Sequence, residues 1–158
     1  MILTTGQWFD IVNTNLNGLY LVTKAVLRHM PNQAGGRVIN ISSVLGKFGV
    51  PGYTAYCTTK HGVIGFTRAL ALEVVSRGIT VNTVCPGWVD TEMAALGIKE
   101  TAALQGITPA EFKAQAIEAV PIKDFSKQTK SPSSFATLLQ TQPPVLPGKR
   151  STFAAVKP

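Results

Sequence analysis

Cysteine is scarce in this chain: two in 158 residues, Cys57 and Cys85. They stand in different segments without zinc-type spacing, so the expectation is a pair of reduced, partly buried thiols, with no disulfide framework and no metal site. Long apolar runs are missing too. None approaches the roughly 20 residues of a membrane helix, which excludes a membrane span of that kind. The opening MILTTGQWFD has neither a basic flank nor a long apolar stretch. It does not read as a secretory signal, and the expected location is the cytoplasm. Acidic residues are few, 8 Asp+Glu against 15 Lys+Arg, for a formal charge of +7. That excess is uneven: residues 1–123 carry a net +3, and the much shorter 124–158 carry +4. There is no basic stripe interleaved with aromatics and no nucleic-acid motif, so no nucleic-acid partner is expected.

What is present is a globular composition, 45% hydrophobic, long enough for one domain with its own core. Trp8, Ile11, Val12, Leu16, Leu19, Val22, Val26 and Met30 recur at helical spacing, which predicts a helix over 7–30 capped by Thr4 or Thr5. Pro31, Gly35 and Gly36 end it. Arg37–Ile41 is short and β-branched and reads as a buried strand. Ser42–Tyr53 reads as loop. A second helix is expected from about Thr54 to Ser76, with Val63, Phe66, Leu70 and Val74 on its face and Gly78 as its stop. Ile79–Val84 reads as a second strand, ended by Pro86 and Gly87. Strand, long helix, strand is a crossover unit, the building block of a parallel sheet. In such sheets ligands bind beyond the carboxyl ends of the strands, which nominates the Ser42–Ser43 and Pro86–Gly87 loops. Residues 93–120 read as two short helices, the second opened by a capping box at Thr108–Glu111.

Within this frame a few side chains carry chemistry. Tyr56 and Lys60 are four apart on one helix and share a face. Tyrosine titrates near pH 10 in isolation, and a lysine cation beside it favours the phenolate, which a base at neutral pH requires. Alone, such a pair is common by chance. Ser43 lies 13 residues before Tyr56 at a strand mouth, where its hydroxyl could hold a carbonyl oxygen or only satisfy the loop. Asn15 sits mid-helix, where asparagine is mildly unfavourable. His29 and His61 have no acid–base partner in sequence and read as surface residues. Asn82 reads as a structural hydrogen-bonder, and Trp88 as equally suited to substrate contact or packing.

Taken together, TNLNG, RVINISSVLG, YTAYCTTKHGVIGFTRALALE and SRGITVNTVCPGWVDTEM resemble consecutive blocks of the short-chain dehydrogenase/reductase family, over residues 1–123. The resemblance implies a Rossmann-like, doubly wound parallel α/β sheet and NAD- or NADP-dependent hydride transfer involving a small-molecule carbonyl or secondary alcohol. It implies a tetrad of Asn15, Ser43, Tyr56 and Lys60. Tyr56 would be general acid in reduction and base in oxidation. Lys60 would lower the tyrosine pKa and bind the nicotinamide ribose, Ser43 would hold the substrate oxygen, and Asn15 would hold a relay water. Pro86 and Gly87 would pass beneath the nicotinamide, Val89 would bind its carboxamide through the backbone, and Thr91 would contact carboxamide or pyrophosphate. VCPGWVDTEM and the 93–120 segment are similar to ketoreductases of the acyl-thioester and polyketide kind, and to hydroxybutyrate-type dehydrogenases. The family commonly pairs subunits through the two long helices, so a homo-oligomer is expected.

The sequence also departs from that pattern. The family's glycine-rich phosphate loop does not occur, so the expectation is a carboxy-terminal portion whose amino-terminal half of the sheet lies outside this sequence and which is silent as an enzyme by itself. After Lys123 the family continues with a helix and a final strand, whereas here residues 124–158 include Pro143, Pro144 and Pro147. In one alternative frame, permitted codons across Pro143–Lys157 can spell a reading containing GITGQAINVCGG and then a stop. Across Asp124–Ser134 they can spell RFLEADEIALL. Both suit the family, so this tail is expected to be a frame-shifted or disordered non-family segment. A non-catalytic piece acting through association is the rival reading.

Overall fold

The computed structural model describes residues 3–30, 35–89 and 91–118. They fall into two compact units, one up to Pro86 and one from Gly87 onward. Residues 119–158, and with them the expected non-family tail, lie outside the described residues.

The first unit opens with α1 (Thr5–Val12), capped by Thr4 in a reciprocal box with Gln7. A five-residue π-helical segment, Asn13–Asn17, follows, and α2 (Gly18–His29) continues from it. The expected single helix therefore exists, with an interruption that its hydrophobic spacing does not reveal. The interruption has a consequence for packing. A π turn inserts one residue, about 100° of rotation, into the helical phase. The stripe predicted through Val22 and Val26 is accordingly turned outward, with Val22 65% and Val26 44% exposed. Thr23 is buried instead, and Leu27 and Met30 pack against the core.

β1 (Gly36–Ile41) and β2 (Ile79–Val84) pair in parallel, from Gly36 opposite Ile79 to Ile41 opposite Val84. They are joined by α3 (Thr54–Val74), which runs into a short 3-10 turn at Val75–Arg77. Gly78 ends it at φ 69°, a left-handed conformation that favours glycine. Arg77 donates to the carbonyls of Leu27 and Met30 and so ties the end of α3 to the end of α2. The core consists of Leu70 and Val74 from α3 against Ile79 and Val81 from β2. Alternation places Ile79, Val81 and Thr83 on one face of β2, all buried. β1 corrects the expectation of a fully buried strand: among its residues only Asn40 is buried, and Ile41 is 46% exposed. The reason is that the core residues of α3 pack against Ile79 and Val81 of β2, while β1 adds only the partly buried Val38 at the margin of that cluster.

The second unit holds α4 (Glu92–Gln105) and α5 (Pro109–Glu118), the two helices anticipated there. Thr91 caps α4, and Gly106 ends it at φ 69°. The box predicted at Thr108 is present, with Glu111 accepting from the Thr108 backbone and hydroxyl while Thr108 Oγ1 accepts from Glu111 N. No described helix is long and apolar enough to cross a membrane.

Candidate active site

Both nominated loops stand where the parallel strands end. Beyond β1 the chain turns through a 3-10 turn, Val44–Gly46, whose cap is Ser43: its Oγ accepts from Leu45 N at 3.2 Å. Three hydrogen bonds stitch this turn down. Ser42 N donates to Val84 O at 2.8 Å, Val44 N to Pro86 O at 2.9 Å, and Ser42 Oγ to Lys60 O at 2.7 Å. The Ser43 turn is thereby fixed at once to the end of β2, to Pro86, and to the second turn of α3.

Tyr56 and Lys60 occupy the first turns of α3, and the predicted shared face is real. Lys60 Nζ lies 5.4 Å from the Tyr56 ring centroid, within cation–π range, and donates to Ile41 O at 3.3 Å. Tyr53 packs edge-on against Tyr56 at 6.3 Å. Burial pulls the Lys60 ammonium below the usual lysine range, with a smaller opposing effect from Cys85. Cys85, buried at the end of β2, is pushed up by its own burial against the lowering influence of Lys47, Ser42, Ser43 and Lys60. It therefore stays a neutral thiol beside the lysine at neutral pH. Cys57 is buried as well, and both cysteines are free thiols.

Asn15 lies within the π segment and donates through Nδ2 to Thr59 Oγ1 at 3.1 Å. Thr59, fully buried, donates its own hydroxyl hydrogen bond to the Tyr56 backbone carbonyl at 2.9 Å. Asn15 is thus joined to the helical turn that carries Tyr56 and Lys60, which an exposed polar residue would not be. π turns recur at functional sites, and this one has a visible seat. A side chain at Gly62 would meet Leu16 Cδ2 at 2.9 Å, so the leucine after Asn15 sits in the space that Gly62 leaves.

Thr59, Gly46 and the buried Asn40, whose Nδ2 donates to Thr67 Oγ1 at 2.8 Å, did not stand out in the sequence, and Ser42 did so only as part of its loop. Asn82, expected to be a structural hydrogen-bonder, is half-buried in β2. Gly87, Val89 and Thr91 belong to the second unit. Thr91 Oγ1 accepts from Ala94 N at 3.2 Å and contacts Val89 O at 3.4 Å. Trp88 pairs edge-on with Phe112 of α5, centroids 6.3 Å apart, which favours packing between its two expected roles. His29 and His61 are exposed. A groove of about 750 Å³ between α2 and α3, lined by Leu27, Met30, Phe66 and Leu70 among others, holds none of the predicted site residues. Among the described residues no cluster of His, Cys, Asp or Glu could hold a metal ion.

The donor set suits a nicotinamide nucleotide. Lys60 spends one of its three N–H donors on Ile41 O. It stands with a phenol and a serine at the carboxyl ends of parallel strands, where nucleotides bind in such sheets.

A crossover unit of parallel strands with a Ser, Tyr and Lys gathered at its carboxyl edge defines a Rossmann-like α/β protein of the dinucleotide type. Residues 2–101 match the short chain dehydrogenase family, and the chain belongs to it. It is 51% identical over 120 residues to the 3-oxoacyl-[acyl-carrier-protein] reductase FabG of Pseudomonas aeruginosa, covering 75% of this chain and 49% of that one. It is 53% identical over 90 residues to a putative ketoacyl reductase of Streptomyces coelicolor, covering 56% of this chain and 34% of the other. Among solved structures, the F189W actinorhodin polyketide ketoreductase with NADPH superposes with a TM-score of 0.73 at 38% identity, over 87% of this chain and 52% of that one. NAD+-bound xylitol dehydrogenase gives 0.78 at 29% identity, over 86% and 54%. The chain thus spans about half the length of the curated relatives it matches.

Proposed function

We propose that this chain carries the catalytic residues of an NAD(P)-dependent ketoreductase, which moves a hydride between the nicotinamide and a carbonyl or secondary alcohol. The observation that carries the reading is Lys60: its ammonium lies against the Tyr56 ring and is tied to the end of β1, one residue before the stitched turn that presents Ser43. When bound, the cofactor gives or takes the hydride. Tyr56 donates the proton to the carbonyl oxygen in reduction and removes it in oxidation. Lys60 favours the phenolate through its charge and offers its remaining donors to the nicotinamide ribose. The Ser43 hydroxyl holds the substrate oxygen and steadies the charge that grows there. Asn15, held through Thr59 to the turn bearing Tyr56, supports a water that resupplies the proton by way of Lys60. Pro86, Gly87, Val89 and Thr91 contact the nicotinamide end of NAD or NADP.

The substrate class supported best is a 3-oxoacyl thioester or polyketide ketone, by likeness to the reductases of Pseudomonas aeruginosa and Streptomyces coelicolor; a 3-hydroxybutyrate-type alcohol is the second candidate. The outward apolar residues Tyr20, Leu21, Val22 and Val26 on α2 and Leu72 on α3 support self-association through the two long helices. No observation favours a role by association alone over this reading. The test is Tyr56→Phe in the full-length enzyme carrying this segment. Turnover falls at least ~100-fold, the lower end of what a lost general acid costs, while cofactor affinity is kept. Near-normal turnover in that variant would sink the assignment.

A further inference from the structure

Gly46 has no conformational reason to be glycine. It closes the 3-10 turn after Ser43, and the glycines at positive φ are Gly35, Gly52, Gly78 and Gly106. Its reason is space. A Cβ built there would lie 2.7 Å from the carbonyl oxygen of Lys60, 2.6 Å from Ser42 Oγ and 3.0 Å from Ile64 Cδ1. The first two atoms are the two ends of one hydrogen bond, Ser42 Oγ to Lys60 O at 2.7 Å. The Lys60 carbonyl belongs to a helix backbone and cannot swing aside as a side-chain tip can. Gly46 is itself buried, so an added methyl has no solvent to move into.

We propose that Gly46 is a positioning residue of the reaction: its missing side chain sets how closely the Ser43 turn approaches the turn of α3 that bears Tyr56 and Lys60. The turn is a wedge between two fixed bodies. On one side Ser42 N and Val44 N hold it to Val84 and Pro86. On the other, Gly46 lets it press against the Lys60 carbonyl. A methyl group at Gly46 forces these apart by several tenths of an ångström at the least, because a contact of 2.7 Å is closer than carbon and oxygen tolerate. The displacement falls between Ser43, on the wedge, and Tyr56 and Lys60, on the helix. Proton transfer and carbonyl polarisation are sensitive to displacements of that size.

The inference rests on the proposed roles of Ser43, Tyr56 and Lys60, and the test separates the two. In the full-length enzyme carrying this segment, Gly46→Ala lowers kcat at least tenfold while the dissociation constant for the cofactor changes less than threefold. A change that only loosened the fold would reduce the amount of active enzyme and leave kcat per intact site unaltered, so active sites are counted by cofactor binding. Ser42→Gly and the double change Ser42→Gly/Gly46→Ala supply a second comparison, because removing Ser42 Oγ relieves the nearest clash and eases folding. The double variant still turns over at least fivefold more slowly than Ser42→Gly alone, since the Lys60 carbonyl remains in the way. Equal kcat in those two variants overturns the proposal, as does a Gly46→Ala enzyme with kcat within twofold of the parent. Tyr56→Phe is run beside them: if it keeps turnover, the site reading itself fails, whatever Gly46 does.

Discussion

The bond from Asn15 to Thr59 joins an irregular turn to the helix that carries Tyr56 and Lys60, and its energy can be measured without any assay of activity. Thr59 is fully buried and its hydroxyl is used twice, donating to Tyr56 O at 2.9 Å and accepting from Asn15 Nδ2 at 3.1 Å. Asn15→Ala removes the donor and leaves the hydroxyl its other bond, so the loss is one hydrogen bond, about 1 kcal/mol. Thr59→Val keeps the shape, removes both bonds, and strands a half-buried amide that water reaches in part, for about 1–2 kcal/mol. The double variant costs less than the sum, because the shared bond can be lost only once. The coupling expected from the two residues in contact is about 1 kcal/mol, roughly a fivefold change in the folding equilibrium. Urea unfolding of the four proteins gives the number, provided the slopes agree. Backbone amide exchange over Asn13–Asn17 should quicken in both single variants, since this bond holds the extra residue of the π segment in place. Additivity within about 0.3 kcal/mol, with unchanged exchange, would show that the contact carries no energy and that the π segment is held by other means.

Other outcomes follow from neighbouring features. Gly62→Ala sets a helix-propensity gain of about 1 kcal/mol against the crowding of Leu16, so it is neutral or destabilising in the parent. In a Leu16→Ala background the same change should stabilise by about 0.5–1 kcal/mol in thermal melts, and a failure to change sign would dismiss the knob-in-hole account. Lys60 has a folded-state pKa below its ordinary 10.5, so the unfolded chain binds the extra proton and stability rises as pH climbs from that lowered value toward 10.5. Cys85 acts in the opposite sense: its folded pKa lies above the ordinary 9.0, so from there upward stability falls as the unfolded thiol ionises. Lys60→Met should abolish the rise and Cys85→Ala the fall in stability measured against pH; loss of neither would refute the burial of these groups. Residues 124–158, read as frame-shifted, predict that adding or removing one base near the Lys123 codon yields a product ending shortly after GITGQAINVCGG; nucleotides that spell an unrelated sequence would end that reading.

How much of this was legible in the sequence depends on the range of the interaction. Local signals were reliable: β2 was read to its observed ends, β1 and α3 to within one or two residues, and the Thr4 and Thr108 caps follow from side chains three positions apart. The π segment was invisible because its residues, Asn13, Thr14, Asn15, Leu16 and Asn17, are mostly polar and carry no phase of their own. A single inserted residue then rotated the downstream face, and Thr23, a weak apolar signal, took the place predicted for Val22. Exposure of Ile41 was equally unreadable, since a β-branched run looks the same whether or not a helix covers its face. The site divides along the same line. Asn15 draws notice because asparagine is mildly unfavourable mid-helix, and Lys60 because it stands four residues from Tyr56 on one helix face. Ser42, Gly46, Thr59 and Gly62 draw none: a loop serine, a loop glycine, a helical threonine and a helical glycine are unremarkable by themselves. Their meaning lies in contacts with residues 18, 14, 44 and 46 positions away, at Lys60, Lys60, Asn15 and Leu16. Residues proposed for the chemistry can thus be sought where a side chain disobeys its own element or pairs with a reactive neighbour. Those that hold the chemistry in register obey, and only the distances across elements disclose them.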